Sequence, residues 1–564
     1  MVWTRGCWSL GIKYGQRFMG RRRSLKHVCG AMGGIAIALT PWSVPQGRAA
    51  QNPIIEVGVV QRFGEDKRDG LTIEALAGEQ LTLTFSTHGQ TQTVTTPKLV
   101  LGLVPEALPE AQLRERVVLS THRSFESAEH SAQEWRQRGI DPEIAQPDGW
   151  EVWANREVYA TPLVRRLLVN DLRDQGFAEV FLDSRVISQV PKAFFEANGY
   201  RYHRDQLDIR APSGRIRVHK GGSPPVTRLY GGSLRLQPNT YGTYTLVNDV
   251  PIETYLRGVV PHEIGPGAPM PAIEAQAILA RTYALRNLRR FEIDDYQLCA
   301  DTQCQVYWGL GGTATNTDQA IRATQGQVLT YENELVDALY SSTTGGVTAA
   351  FSDVWNGPDR PYLRSIVDSI QGVWNLSQSP LNNEASIRAF LALDEGFNED
   401  TWRLFRWRYE SSLAEIAQDL KGYLGRRQHP LAHLTQVLEL RVAERATSGR
   451  VQILEIETDV GVVSLEKDEI VRVMAAPRSL LFYLDPITAE TTDGNSSPGV
   501  APQLTGYGFV GGGWGHGVGM SQTGSYRLGN LGWSHDRILQ FYYPGTTLQP
   551  LNNALTFWRD PLQD

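Results

Sequence analysis

The sequence predicts an α+β, multidomain protein in which mixed β-sheets carry packed helices. Three observations lead there. At 564 residues the chain exceeds the roughly 100–200 residues that one core usually serves. Short β-rich runs separated by turn residues, such as 55–59 and 81–85, read as strands. Other stretches space their apolar residues by three and four, the period of a helix packed on one face. Charged residues at 21% and apolar residues at 41% suit a folded chain rather than a disordered one.

Residues 1–50 hold eight Lys or Arg and no Asp or Glu. Arg21, Arg22, Arg23 and Lys26 precede an apolar stretch from Val28 to about Val44. Gly47, Ala49 and Ala50 then offer small residues to a signal peptidase. The segment reads as a signal peptide or as an uncleaved N-terminal anchor, and its basic patch loosely resembles a twin-arginine signal. Gly33, Gly34 and Pro41 break an apolar run already shorter than about 20 residues, so no stable membrane span is expected after signal cleavage. Either reading puts the bulk of the chain outside the cytoplasm, in the periplasm or cell wall. Without this segment the net charge moves from −6 to about −14. No nucleic acid partner is expected, because phosphate backbones need a basic footprint. Binding to an anionic wall cannot rely on net charge.

Residues 51–110 form a β-rich region. In 111–185 a pattern repeats: a strand at 117–119, a helix at 128–138 ending at Gly139, a strand at 151–153, and a helix at 163–175 ending at Gly176. Glycine there suits a left-handed C-cap. Two such strand–helix–strand units would form a small sheet with two helices on one face. The pattern resembles the SPOR family of glycan-binding domains, which implies docking on denuded glycan; a plain α+β spacer fits it equally. Strands return over 216–250, where 230–236 and 244–248 bracket a turn at Pro238 and Asn239. The stretch 390–424 reads as helical, within an insertion at about 370–435. The polar stretch 488–503 reads as an exposed loop.

Cys7 and Cys29 lie in the export segment. Cys299 and Cys304 remain, five residues apart. A disulfide, free thiols and half of a zinc site all fit that spacing, although no His lies nearby in sequence.

The most informative stretch runs from Val247 to Arg290. Pro271 suits the first turn of a helix. Ile273, Ala277, Ala280, Ala284 and Leu288 give one buried stripe. Gln276 and Tyr283 border it on one side, Glu274 and Arg281 on the other, and both pairs could face a cleft. Glu263 precedes this helix after the mostly apolar run 256–260. Desolvation there would raise its pKa and keep it protonated, as a general acid requires. A helix-capping or ion-paired Glu fits the same position. Near the C-terminus seven glycines lie between Gly508 and Gly519, so the backbone can turn sharply and approach a ligand closely. The block lacks a Walker lysine, which argues against phosphate. Its His516 could hold sugar hydroxyls together with Trp514 and Gln522, serve as a hydrogen-bonded structural histidine, or bind a metal.

Val259-Val-Pro-His-Glu263, Ala275-Gln-Ala277 and Ala280-Arg-Thr-Tyr-Ala284 resemble the signature of the SpoIID/LytB family. So do Asp301-Thr-Gln-Cys-Gln-Val-Tyr-Trp-Gly309, Tyr340-Ser-Ser-Thr-Thr-Gly-Gly-Val-Thr348 and Gly512-Gly-Trp-Gly-His-Gly-Val-Gly-Met-Ser-Gln522. The blocks run in family order and define a C-terminal SpoIID/LytB module over 186–550, with its core at 216–369 and 440–550. The resemblance implies a peptidoglycan lytic transglycosylase that cleaves the MurNAc–GlcNAc backbone to 1,6-anhydro ends, with Glu263 catalytic. It implies no cofactor and no metal. Gln276, Arg281, Tyr283, Gln305, Tyr307, Trp514, His516 and Gln522 are the candidate substrate-binding residues. Arg281 could meet a lactyl carboxylate or anchor its helix through an ion pair. Peptidoglycan glycan strands are the expected partner. The family also includes non-catalytic enhancers of cell-wall amidases, so an amidase partner is the alternative. An exported scaffold with no glycan role is a third reading. One departure stands out: Glu274 occupies a position where the family commonly carries Lys.

Overall fold

The computed structural model describes residues 52–66, 69–221, 225–427, 429–489 and 503–561. The expected export segment, with Cys7 and Cys29, and most of the 488–503 loop lie outside the described residues. Among the described residues no helix is long and apolar enough to cross a membrane.

The architecture is α+β with mixed sheets. Its N-terminal half is a sandwich. One sheet runs Leu298–Cys299, Ile54–Phe63, Tyr244–Pro251, Ser233–Pro238, Leu207–Arg210, Leu81–Thr87, Gln90–Thr96. The facing sheet runs Val226–Gly231, Arg215–Lys220, Leu71–Glu74, Lys98–His122 and onward. Alternating residues such as Leu81, Leu83, Ile73 and Leu101 fill the space between them, as period-two strands with one buried face require. Phe85 of the first sheet meets Phe195 of the second at 5.3 Å. The expected strand at 230–236 is instead two strands in different sheets. Gly232 makes the switch with φ +84, where a Cβ would fall 2.0 Å from the Asp249 carbonyl oxygen, so only glycine fits.

Lys98–His122 is a long strand that leaves the sandwich and enters a second unit with Phe181–Ala197 as its partner. There the strands Pro142–Ala145 and Trp150–Ala154, paired antiparallel, lie in sequence between the helices α1 (Phe125–Gln137) and α2 (Pro162–Asp174). Ser124 and Thr161 cap them with their side chains. Gly139 and Gly176 follow them at φ +84 and +99, the left-handed conformation that ends a helix. Val117, Leu119 and Val152 pack with residues of both helices, so both lie on one face of this sheet.

Two further helices follow the sandwich, α3 (Ile252–Glu263) and α4 (Met270–Arg286). The stripe Ile273, Ala277, Ala280 and Ala284 of α4 joins the sandwich core. The opposite side, Ala275, Ile278, Leu279 and Tyr283, joins the C-terminal core. The helix is therefore a hinge pin between two cores, with fourteen of its 17 residues buried. This corrects the expectation of a single buried stripe with open borders.

The C-terminal body holds the sheets Arg406–Ser412, Leu504–Gly512, Phe482–Thr488 and Val437–Arg445, Val451–Thr458, Gly461–Glu466. The 390–424 stretch is not continuously helical. Leu413–Arg426 is a helix, but Arg406–Ser412 is a strand paired with the start of the glycine block.

Candidate active site

The helix α3 places Ile252, Tyr255, Leu256, Val259 and Val260 into the sandwich core. Spacing of three and four makes this one face. Gly265, at φ +78, turns the chain away. Glu263 is the last residue of α3, where the carbonyl end of the helix dipole opposes a negative charge. Its carboxyl Oε1 accepts the Val306 amide at 2.7 Å, and the Tyr340 hydroxyl lies beside the same carboxyl. Burial is the largest influence and pushes its pKa up to about 7; these two polar neighbours pull the other way without winning. At neutral pH the group is poised between acid and base.

Three layers of support converge on this carboxyl. Tyr255 donates to Gln305 Oε1 at 3.1 Å, and Gln305 Nε2 donates to the Tyr340 hydroxyl at 3.0 Å. The chain Tyr255–Gln305–Tyr340 thus ends on Glu263. Cys299 and Cys304 form a disulfide, which closes the loop just ahead of Gln305 and Val306. Gln522 Nε2 donates to the Glu263 backbone carbonyl at 3.1 Å and to Gln276 Oε1 at 3.3 Å, tying α3 to α4.

The glycine block forms the opposite wall. A Cβ on Gly519 would lie 2.0 Å from the Leu339 carbonyl oxygen, and one on Gly513 would lie 2.8 Å from the Gly345 amide. These close approaches are to the chain's own backbone. Tyr340–Ser341 pairs in parallel with Met520–Ser521. His516 accepts the Val518 amide on Nδ1 at 3.0 Å and donates to the Tyr340 carbonyl. Burial lowers its pKa to about 4, so the ring is neutral, with the proton on Nε2. Its ring also lies 5.1 Å from that of Trp355.

Between these walls lies a cleft of about 450 Å³, into which Glu263, Tyr283, Tyr340, Trp355, Trp514 and His516 all open. The unit built on α1 closes one side with Arg123, Ser124, Phe125 and Glu126. Glu126 pairs with Arg290. Ser124 donates to Asp468, another carboxyl of the cleft, at 3.0 Å.

Of the nine residues expected to form the site, four line this cleft: Glu263, Tyr283, Trp514 and His516. Gln305, Gln522 and Gln276 stand behind it as supports. Tyr307 is buried and donates to Asn248 at 2.8 Å. Arg281 corrects the expectation of a substrate partner. It is fully buried and makes a bidentate pair with Glu253, both contacts at 2.8 Å, so it anchors α4. Glu274 accepts from or pairs with His535 Nδ1 at 2.9 Å and does not line the cleft; its departure from the family pattern falls outside the pocket. Tyr340, Trp355, Asp468 and the α1 wall were not singled out as candidates. Tyr340 sat in a motif block, but nothing local marks a hydroxyl that will meet a residue far along the chain.

The stage II sporulation protein family matches residues 240–331, which include Glu263. A domain of unknown function, DUF8618, matches residues 349–519. The chain is 26% identical over 407 residues to an amidase enhancer of Bacillus subtilis (strain 168), covering 65% of this chain and 52% of that protein. It thus spans about half the length of that relative. It is 25% identical over 335 residues to stage II sporulation protein D of the same organism, covering 56% of this chain and 80% of that protein. An uncharacterized protein of Brachyspira hyodysenteriae (strain ATCC 49526 / WA1) is 26% identical over 339 residues, covering 58% of this chain and 73% of that protein.

Proposed function

The chain belongs to the SpoIID/LytB family, and from that premise we propose that it is a lytic transglycosylase of peptidoglycan, exported to the periplasm or cell wall. A cell-wall role follows from its relatives. The observation that carries the chemistry is Glu263, a buried carboxyl at about pKa 7 opening into a cleft with an exposed tryptophan. Protonated Glu263 gives its proton to the oxygen bridging muramic acid and glucosamine, and the C1–O bond breaks. The carboxylate then takes the proton of the 6-hydroxyl, whose oxygen bonds to C1 as an anhydro ring. One group serves in both steps, and no water enters. Trp514 offers a flat face to the sugar's C–H surface. Tyr340 orients the carboxyl.

The test is digestion of denuded glycan strands with mass spectrometry of the products. Anhydro-muramyl ends from the wild type, lost in Glu263→Gln, are expected. Reducing ends would instead mark a hydrolase, which needs a second carboxyl, and would point to Asp468. The similarity to an amidase enhancer favours a second reading, in which the unit built on α1 and the cleft bind glycan to present it to an amidase. No product from any strand, together with faster peptide release by a cell-wall amidase, would establish that reading and reject the enzyme.

A further inference from the structure

Three arginines line the cleft: Arg123, Arg290 and Arg478. Arg290 is paired with Glu126, and Arg123 feels the charge of Asp468 without an ion pair between them. Arg478 differs. Among the described residues no carboxylate lies within ion-pair distance of it. Aromatic faces flank it instead, Tyr409 at 4.3 Å and Trp514 at 5.5 Å from the guanidinium carbon. Its Nε is buried and makes no hydrogen bond. The Ser341 hydroxyl, buried and also without a partner, lines the same cleft.

The juxtaposition specifies a ligand. Trp514, 41% exposed, offers a stacking face for a sugar ring, and the arginine beside it offers planar paired donors matched to a carboxylate. We propose that Arg478 and Trp514 form a subsite for a carboxylate-bearing sugar, and that in a glycan strand they read the free lactyl carboxylate of muramic acid. With a stem peptide attached that carboxylate is an amide and offers no charge. The subsite also answers how an acidic chain holds an acidic polymer, through one local cation. The inference rests on the glycan reading of the cleft but not on bond cleavage.

The experiment is equilibrium binding in the Glu263→Gln background, so that no strand is cut. Three probes are compared: denuded strands, the same strands with lactyl carboxyls capped as methylamides, and chitohexaose. The parent protein is expected to bind denuded strands at least about tenfold more tightly than capped ones, the scale of one charge-assisted bidentate contact. Arg478→Gln removes that preference and leaves chitohexaose binding unchanged, which also reports an intact fold. Arg478→Lys retains part of the preference. Trp514→Ala weakens all three probes. A preference that survives Arg478→Gln overturns the proposal, and so does an equal loss on all three probes. Failure of the parent to bind any probe overturns the glycan reading together with it. A preference without anhydro products in the parallel digestion leaves this subsite standing and rejects only the enzyme.

Discussion

Around Glu263 the sign of each neighbour's effect can be worked out. If Glu263 acts as the proposed general acid it must be protonated, so the proposed activity is expected to fall as pH rises through about 7. The Tyr340 hydroxyl beside the carboxyl favours its charged form. Tyr340→Phe removes that preference, raises the pKa further and moves the alkaline limb of kcat/KM to higher pH, by up to about one unit. A pH–rate profile of the variant checks this; a limb that stays in place would mean that the hydroxyl does not meet the Glu263 carboxyl under assay conditions. Gln305→Leu, which frees Tyr340 from behind, is expected to shift the limb the same way by less. Glu263 itself was legible because an apolar run and a motif both marked it. Tyr340 was not, because a tyrosine reveals its target only when two distant segments meet. Arg281 was legible as important, but its sequence left two roles open, and only the approach of Glu253 from α3 decides between them.

The helix α4 shows what a periodic pattern leaves out. The stripe at Ile273, Ala277, Ala280 and Ala284 was readable and does pack on the sandwich. The other side is nearly as apolar, and small alanines allow close approach from both directions, so of the expected border residues only Tyr283 reaches the cleft. A buried arginine in such a helix needs its carboxylate. Arg281→Met leaves Glu253 poorly compensated and is expected to cost about 3–5 kcal/mol, seen as a lower midpoint in denaturant. The double variant Arg281→Met with Glu253→Gln should recover much of that loss. Equal losses in the single and double variants would show that the cost lies in packing rather than in unpaired charge. The disulfide loop makes a related case. Its closure by Cys299 and Cys304 contributes about 2 kcal/mol on a chain-entropy scale for so small a loop. Its larger effect is expected on function, because the Val306 amide that holds Glu263 follows directly. The Cys299→Ser, Cys304→Ser protein should stay folded at 25 °C yet lose at least about tenfold in kcat, with KM little changed. A loss confined to KM would place the loop with substrate binding instead.

At the scale of the whole molecule, the unit carrying α1 and α2 raises the question of whether it is a tethered module or part of the body that carries the cleft. Its two helices, their terminating glycines and strands at 117–119 and 151–153 were visible in the sequence, because each signal is local; the strand Pro142–Ala145 was not. The placement of the unit was not, because its contacts join residues far apart in the chain. Arg289 pairs with Glu129 at 2.8 Å, and Trp150 donates to Gln303 at 3.0 Å. The Arg427 guanidinium donates to the Thr121 carbonyl at 2.6 Å. Phe125 packs on Trp150, and Trp150 on Phe291, both at 5.2 Å. Val247, Phe291, Tyr296 and Cys299, all outside the unit, belong to its hydrophobic core. That core therefore abuts the disulfide loop and, through it, the amide that holds Glu263. A tethered module would melt on its own and would matter only for long, insoluble strands. A shared core predicts one cooperative transition by calorimetry. It also predicts that Phe125→Ala, which empties a position at the meeting of the two parts, costs about 3–5 kcal/mol and lowers cleavage of short soluble glycans as much as that of whole sacculi. Two separate transitions, or a defect seen only on sacculi, would return the unit to the role of an independent tether and remove it from the cleft's working wall.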